Sequence, residues 1–129
     1  MIDEAHTPPR EPAVRTVAMP ADANPSGDIF GGWVLAQMDI AGGVVAARRA
    51  RGRVVTVALD GLSFHAPVKV GDIVSCYAQV VEVGTTSLKV KVHTEVIRQI
   101  TGEPQTVTDG RFTYVALGPD GRPRPVDEG

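Results

Sequence analysis

One run of sequence restricts the folds open to this chain more than any other. From Ile29 to Ala47 it reads I-F-G-G-W-V-L-A-Q-M-D-I-A-G-G-V-V-A-A, apolar or nearly side-chain-free at almost every position. Wound as a helix, such a segment has no wet face, so it must lie centrally rather than on a surface. Its length also raises the question of a membrane span. Asp39 sits near its centre with Gln37 close by, and a charge there costs on the order of 3 kcal/mol on insertion scales. An interior helix, with no membrane insertion, is the expectation. The helix is expected from about Gly32 to Arg51. Arg48, Arg49 and Arg51 suit the negative end of its dipole, and Gly52 is a natural stop.

The remainder of the chain reads as strands. Val14 and Val17 anchor a first strand within Pro12–Met19, and a loop dense in Asn, Pro, Ser, Asp and Gly leads from Pro20 to the helix. After the helix the period changes to two. Strands are expected over Val54–Phe64, Ile73–Val83, Thr86–Ile97 and Gln105–Leu117, with turns at Ala66–Asp72 and at Gly84 and Thr85. Leu88, Val90, Val92, Thr94 and Val96 alternate with Ser87, Lys89, Lys91, His93 and Glu95, the mark of a half-buried strand. Short connections favour antiparallel pairing. The economical architecture is α+β, an antiparallel sheet wrapped around one long central helix. Residues 1–12 hold three prolines and four charged groups, and residues 119–129 hold three prolines with alternating charges. Both are expected to be flexible, leaving 13–118 as a single domain.

Composition excludes several function classes. The 129 residues carry a net charge of −2, so no basic footprint points to nucleic acid. Cys76 is the sole cysteine, which excludes an internal disulfide framework and makes a reducing, cytoplasmic setting the default. Met1–Arg15 has no apolar run, so no signal peptide is expected there. His6, His65 and His93 have no metal-ligand spacing, and no metal is expected.

Asp39 then needs an explanation. Asp is disfavoured in mid-helix, and burying its charge without partners is costly. No basic residue stands three or four positions away to pair with it. Either it faces an exposed stripe or pairs with an arginine, or it does chemistry. Gly31 and Gly32 open the same helix with unobstructed N–H groups, a place for an anion or a polarised carbonyl oxygen. Asp39 lies seven residues beyond Gly32, two turns along one face and roughly 10 Å away at the helical rise. A base or nucleophile must come within about 3 Å of its target atom, or one water away. One helix cannot readily aim both groups at one carbonyl, whereas two antiparallel copies can. The chemistry therefore predicts a dimer with sites at its interface.

Three segments carry a family resemblance. M-P-A-D-A-N-P-S-G-D-I-F-G-G-W-V-L-A-Q-M-D (Met19–Asp39), R-V-V-T-V-A-L-D-G-L-S-F-H-A-P-V-K-V-G-D (Arg53–Asp72) and F-T-Y-V-A-L-G-P-D-G-R-P-R-P-V (Phe112–Val126) resemble the acyl-CoA thioesterases of the YciA type, relatives of the vertebrate brain acyl-CoA hydrolase. The resemblance covers nearly everything after Arg15. It implies the hotdog fold, a cytoplasmic hydrolase of fatty acid metabolism, and dimers that trimerise into hexamers. It implies hydrolysis of acyl-CoA to free CoA and a carboxylic acid, with no cofactor, coenzyme A being part of substrate and product. Asp39 matches the catalytic carboxylate and Asn24 the amide that positions thioester or water. Gly31 and Gly32 match the backbone donors to the thioester oxygen. The His of the H-G-G variant is replaced by Phe30, so no imidazole takes part.

CoA phosphates need cations. Arg53, Lys69 and Arg98 are the candidates carried forward, with Thr85 and Ser87 as hydroxyl donors at a strand start. Arg48, Arg49 and Arg51 also qualify, although helix-terminal charge compensation accounts for at least one of them. Lys89 and Lys91 are expected on a solvated strand face. Two alternatives remain. A hydratase or dehydratase of the same fold is suggested by D-A-N-P-S-G-D, but Gly27 stands where the hydratase motif has its His. A non-catalytic acyl-CoA-binding protein gains little from a carboxylate beside an anionic ligand.

Overall fold

The computed structural model describes residue 9 and residues 11–127. Strand β1 (Val14–Val17) leads through a 3-10 turn (Pro20–Asp22) to the helix α1 (Gly31–Ala50). Strands β2 (Val54–Phe64), β3 (Ile73–Val83), β4 (Ser87–Ile97) and β5 (Pro104–Ala116) follow. They form one five-stranded sheet in the order β1-β3-β4-β5-β2, antiparallel throughout. This is the α+β hotdog arrangement expected. The bounds of β2 and β3 fall where the period-two patterns begin and end. The helix closes at Arg51, which takes a left-handed conformation (φ 55°) as its N–H bonds to Arg48 O.

The central strands supply the core. Leu88, Val90, Val92, Thr94 and Val96 of β4 are all fully buried, as their alternation requires. Each apolar one contributes about 1.5–3 kcal/mol on burial. The helix meets them with Val34, Met38, Ala41, Gly42, Ala46 and Ala50, several of them small enough to let the axis lie close to the sheet. On the outer face the alternating residues make a polar network. His93 Nδ1 lies 2.7 Å from Asp109 Oδ1, and Tyr77 donates to Glu95 at 3.3 Å.

Three features differ from the sequence expectation. First, β2 and β3 are consecutive in the chain but occupy different parts of the sheet. Their connection passes beside the helix N-terminus, where Ile29 N–H bonds to Val68 O at 2.9 Å and Asp28 bridges Lys69. Second, one chain does not enclose its helix. The outer stripe of α1 leaves Ile40 54% exposed, and the edge strand β2 presents Val55, Val57 and Leu59 to solvent. Third, the segment after Gly118, expected as a flexible tail, folds back onto the helix end. Leu117 bridges Pro123, Val126 is buried, and Asp127 pairs with Arg49 at 2.7 Å. The expected flexibility of residues 1–12 falls mostly outside the described residues.

Arg124 fastens that segment. Its guanidinium donates to Ala50 O at 2.6 Å, Pro125 O at 3.0 Å and Leu117 O at 3.2 Å. It thereby satisfies a carbonyl at the helix C-terminus, where a cation is also favoured by the dipole. Replacing it with alanine leaves that carbonyl to water and releases the segment. Arg124→Ala is expected to destabilise the fold by about 1–3 kcal/mol, read as a lowered thermal midpoint in a circular dichroism melt.

Candidate active site

Asp39 is the centre of the site. It projects from the middle of α1 toward β2 and β5 and is half-buried. Thr56 Oγ1 on β2 donates to Asp39 Oδ1 at 2.7 Å, and Tyr114 Oη on β5 donates to the same oxygen at 2.9 Å. Tyr114 also reaches Asp39 O at 3.0 Å. Asp39 thus has structural partners as well as a chemical opportunity, because its other oxygen, Oδ2, accepts nothing from the described residues. Burial, followed by the hydrogen bond and the charge of Asp39, raises the Tyr114 hydroxyl well above the usual phenol range. It therefore stays protonated and remains a donor.

Asn24 belongs to a tight turn before the helix. Its side-chain oxygen accepts from Ser26 N at 2.9 Å and from Asp28 N at 3.1 Å, while its own N–H bonds to Asp28 O at 2.6 Å. The amide oxygen is therefore committed to the backbone, and the NH2 group is the end available as a donor. Gly27 closes the turn at φ +88°, where a side chain is strained. A histidine of the hydratase kind has no comfortable place there.

Gly31 and Gly32 form the first turn of α1, and both are exposed. The N-cap residue, Phe30, provides no side-chain cap, and Trp33 N–H takes Phe30 O at 3.1 Å. The N–H groups of Gly31 and Gly32 precede that bond and find no backbone partner outside the helix among the described residues. They are the orphan donors of a helix start, at its positive end. Beside them opens a cavity of about 420 Å³ lined by Ile29, Gly31, Val34, Phe64, His65 and Pro67, among others. It is mainly apolar and partly open.

The candidate CoA-binding residues fall into two groups at opposite ends of the helix. Lys69 and Arg98 lie near the glycine turn. Lys69 pairs with the Asp28 carboxylate, and Arg98 donates to Asp72 at 3.4 Å, Pro67 O at 3.3 Å and Gln105 at 3.3 Å. Both cations are thus engaged in holding the turn after β2. Arg53, Thr85 and Ser87 lie at the other end, where Leu117 N–H bonds to Arg53 O and Val126 N–H to Thr85 O. Arg53 is exposed and in no salt bridge among the described residues. Arg48, Arg49 and Arg51 border a second, polar cavity of about 440 Å³ there. Cys76 is buried, which raises its thiol above the usual range despite a hydrogen bond with Thr94, so it is no nucleophile. No metal-holding group of three or more His, Cys, Asp or Glu residues exists among the described residues, and no described helix is long and apolar enough to cross a membrane.

Thr56 and Tyr114 were not singled out from the sequence. The signal was present: Phe112, Tyr114 and Ala116 alternate onto the inward face, and a buried tyrosine hydroxyl needs a partner. The one carboxylate on the opposing helix supplies it.

Comparisons with known proteins identify the family of the chain. Residues 26–101 match the model of the thioesterase superfamily. The chain is 48% identical over 124 residues to the acyl-CoA thioester hydrolase YciA of Salmonella typhimurium, covering 94% of this chain and 93% of that protein. Among solved structures, a hexameric broad-specificity acyl-coenzyme A thioesterase superposes with a TM-score of 0.87 at 45% identity, covering 91% of this chain and 86% of that one. A hexameric hotdog-fold thioesterase of Campylobacter jejuni gives 0.86 at 43% identity, covering 92% and 91%. The chain therefore belongs to the thioesterase superfamily and, within it, to the YciA family of hotdog-fold proteins.

Proposed function

We propose that this protein hydrolyses acyl-CoA thioesters to free CoA and a carboxylic acid, at sites shared between two copies of the chain. The observation that carries this reading is Asp39, a half-buried carboxylate with one oxygen held by two hydroxyls and the other left open. Near-half identity to a named acyl-CoA thioester hydrolase across nearly the whole chain supports the choice of substrate. Such a reaction needs an oxyanion donor set and an activated oxygen nucleophile. The orphan N–H groups of Gly31 and Gly32 supply the first, each contributing about 2.7–4 kcal/mol to stabilising the developing charge. Asn24 adds its NH2 donors to hold the thioester or water. Asp39 supplies the second, by taking the proton of a water or by attacking the thioester carbon itself. Both routes use one unencumbered carboxylate oxygen. Arg53, Lys69, Arg98, Thr85 and Ser87 are assigned to the nucleotide end of CoA. For Lys69 and Arg98 this requires that they contact phosphate while keeping their present partners.

The shared site follows from helix geometry. Gly32 and Asp39 are roughly 10 Å apart along one rigid axis, too far to meet at one carbonyl. An antiparallel second copy brings the Asp39 of one chain to the glycine turn of the other. The exposed Ile40 and Val44 stripe and the apolar edge of β2 supply a surface for that contact. We assign the dimer as the unit that completes the site and a trimer of dimers as the assembly, in keeping with the hexameric solved relatives. A cytoplasmic setting in fatty acid metabolism suits the substrate and the single thiol.

Asp39→Asn is expected to lower kcat roughly 10²–10⁴-fold, measured as thiol release from a panel of acyl-CoAs; unchanged turnover removes Asp39 from the mechanism. Sharing has its own signature. Asn24→Ala and Asp39→Asn should each be nearly inactive alone, yet refolding the two together should regain activity, because a mixed dimer contains one unaltered site. No recovery on mixing rejects a site built from two chains. Because a carboxylate, an amide and backbone N–H groups suffice, no cofactor is assigned, and dialysis against a chelator should leave the rate unchanged.

A further inference from the structure

We infer that His65 selects the acyl group, favouring acyl chains with an oxygen function close to the thioester over plain hydrocarbon chains. This rests on the hydrolase reading above and narrows the substrate class of that site. The cavity beside the glycine turn is where the selection takes place. Phe64 and Gly31 meet at its mouth, an ideal Cβ on Gly31 lying 3.5 Å from Phe64 Cζ. The cavity therefore opens beside the N–H groups assigned to the thioester oxygen. Its floor is Ile29, Val34 and Val68, which are 6%, 2% and 3% exposed. No lysine or arginine lines it, so phosphate has no counter-charge there. The pantetheine arm must leave toward solvent to carry the nucleotide, whereas an acyl group can end against a closed apolar floor. The cavity of about 420 Å³ is thus the place for the acyl group.

Hydrocarbon suits every side chain of that lining but one. Among the described residues that border the cavity, His65 alone has a side chain able to form a hydrogen bond. It is exposed at the rim, and its ring bonds to no described residue. The backbone that carries it is fixed on both sides. His65 N–H bonds to Val107 O at 2.7 Å, the Thr108 hydroxyl donates to Ser63 O at 2.6 Å, and Arg98 donates to Pro67 O at 3.3 Å. Water serves the imidazole in the free protein. An alkyl chain that enters displaces this water and returns no hydrogen bond, which is unfavourable. An acyl group with a hydroxyl near the thioester restores the bond. A neutral imidazole has one donor and one acceptor, and a hydroxyl has both, so the pair forms with either tautomer. Gly31 and His65 share the mouth, so His65 meets the carbons next to the thioester, and the apolar floor meets those beyond. A site that hydrogen-bonds a substrate hydroxyl discriminates against the analogue that lacks it.

The test compares wild type, His65→Leu and His65→Gln in the full-length protein, with hexanoyl-CoA and 3-hydroxyhexanoyl-CoA as substrates. Wild type should favour the hydroxylated substrate about tenfold in kcat/KM, the effect of one hydrogen bond at a partly open site. His65→Leu should bring that ratio to about one or below, mainly by losing rate on the hydroxylated substrate. His65→Gln, which keeps a donor and an acceptor, should retain most of the preference. A ratio that is the same in wild type and His65→Leu overturns the inference. So does an equal loss on both substrates, which would place His65 against the pantetheine arm common to all acyl-CoAs. Calorimetric binding of the thioethers S-hexyl-CoA and S-(3-hydroxyhexyl)-CoA separates this result from the hydrolase reading. The same tenfold preference should appear in binding to wild type and vanish in His65→Leu. If it does so while neither thioester releases thiol, the hydrolase reading fails and the contact with His65 stands. If thiol is released with no preference in rate or binding, the selective role of His65 fails alone.

Discussion

The contact between α1 and the sheet is the constraint from which the rest follows. A helix with apolar residues on every side cannot be satisfied by one sheet, because a sheet covers only one flank. In this chain the inward stripe of Val34, Met38, Ala41, Ala46 and Ala50 is buried and the outward stripe through Ile40 and Val44 is not. The small residues on the inward side bring the axis close. That closeness lets a tyrosine on β5 reach past the helix backbone at Gly42 to touch Asp39. A bulkier helix would stand off from the sheet, and the carboxylate would have no hydroxyl within range.

The same packing sets the electrostatic character of the site. Asp39 is neither fully desolvated nor in bulk water, and its two partners are neutral hydroxyls rather than a cation. A buried ion pair would have quenched the carboxylate as a nucleophile or base, since its charge would be spent on a fixed partner. Neutral donors hold an oxygen in place while leaving the charge to be used. At the N-terminal end of the helix, the positive pole is left with two N–H groups that find no backbone partner outside the helix among the described residues. Negative and positive features thus sit about two turns apart on one rigid rod, and neither can move toward the other within one chain.

Much of this fold was legible in the sequence because the signals were local. The alternation from Leu88 to Val96, the apolar run ending in three arginines, and Gly84 with Thr85 each act over a few residues. Placement of β2 was not legible. Its neighbour is β5, more than forty residues away, and pairing at that range leaves no mark on local period. The segment 119–127 was misread for a related reason. Three prolines and alternating charges hide Arg124 and Val126, whose roles exist only once the end of α1 is in position. Asp39 and the glycine turn stood out as chemical anomalies. Thr56 did not, since a threonine in a β-branched strand is what propensity already favours. Its role comes from facing Tyr114 across two strands.

β2 links the site to assembly. It is an edge strand of eleven residues, and it leaves Val55, Val57 and Leu59 exposed. A long apolar edge is a template for further pairing unless something covers it. The register with β5 slips between Thr56 and Ala58, a bulge that locally re-aims side chains and increases twist. Thr56, immediately before the slip, is the residue that grips Asp39. A frayed β2 would therefore loosen the carboxylate, whereas an edge covered by a second copy would fix it. Under the shared-site reading, association then contributes twice: it brings the partner's glycine turn to Asp39, and it steadies the strand that orients Asp39 from behind. Substrate-competent geometry and quaternary structure depend on one element, so a chain of this design has no reason to keep a fully ordered site as a monomer.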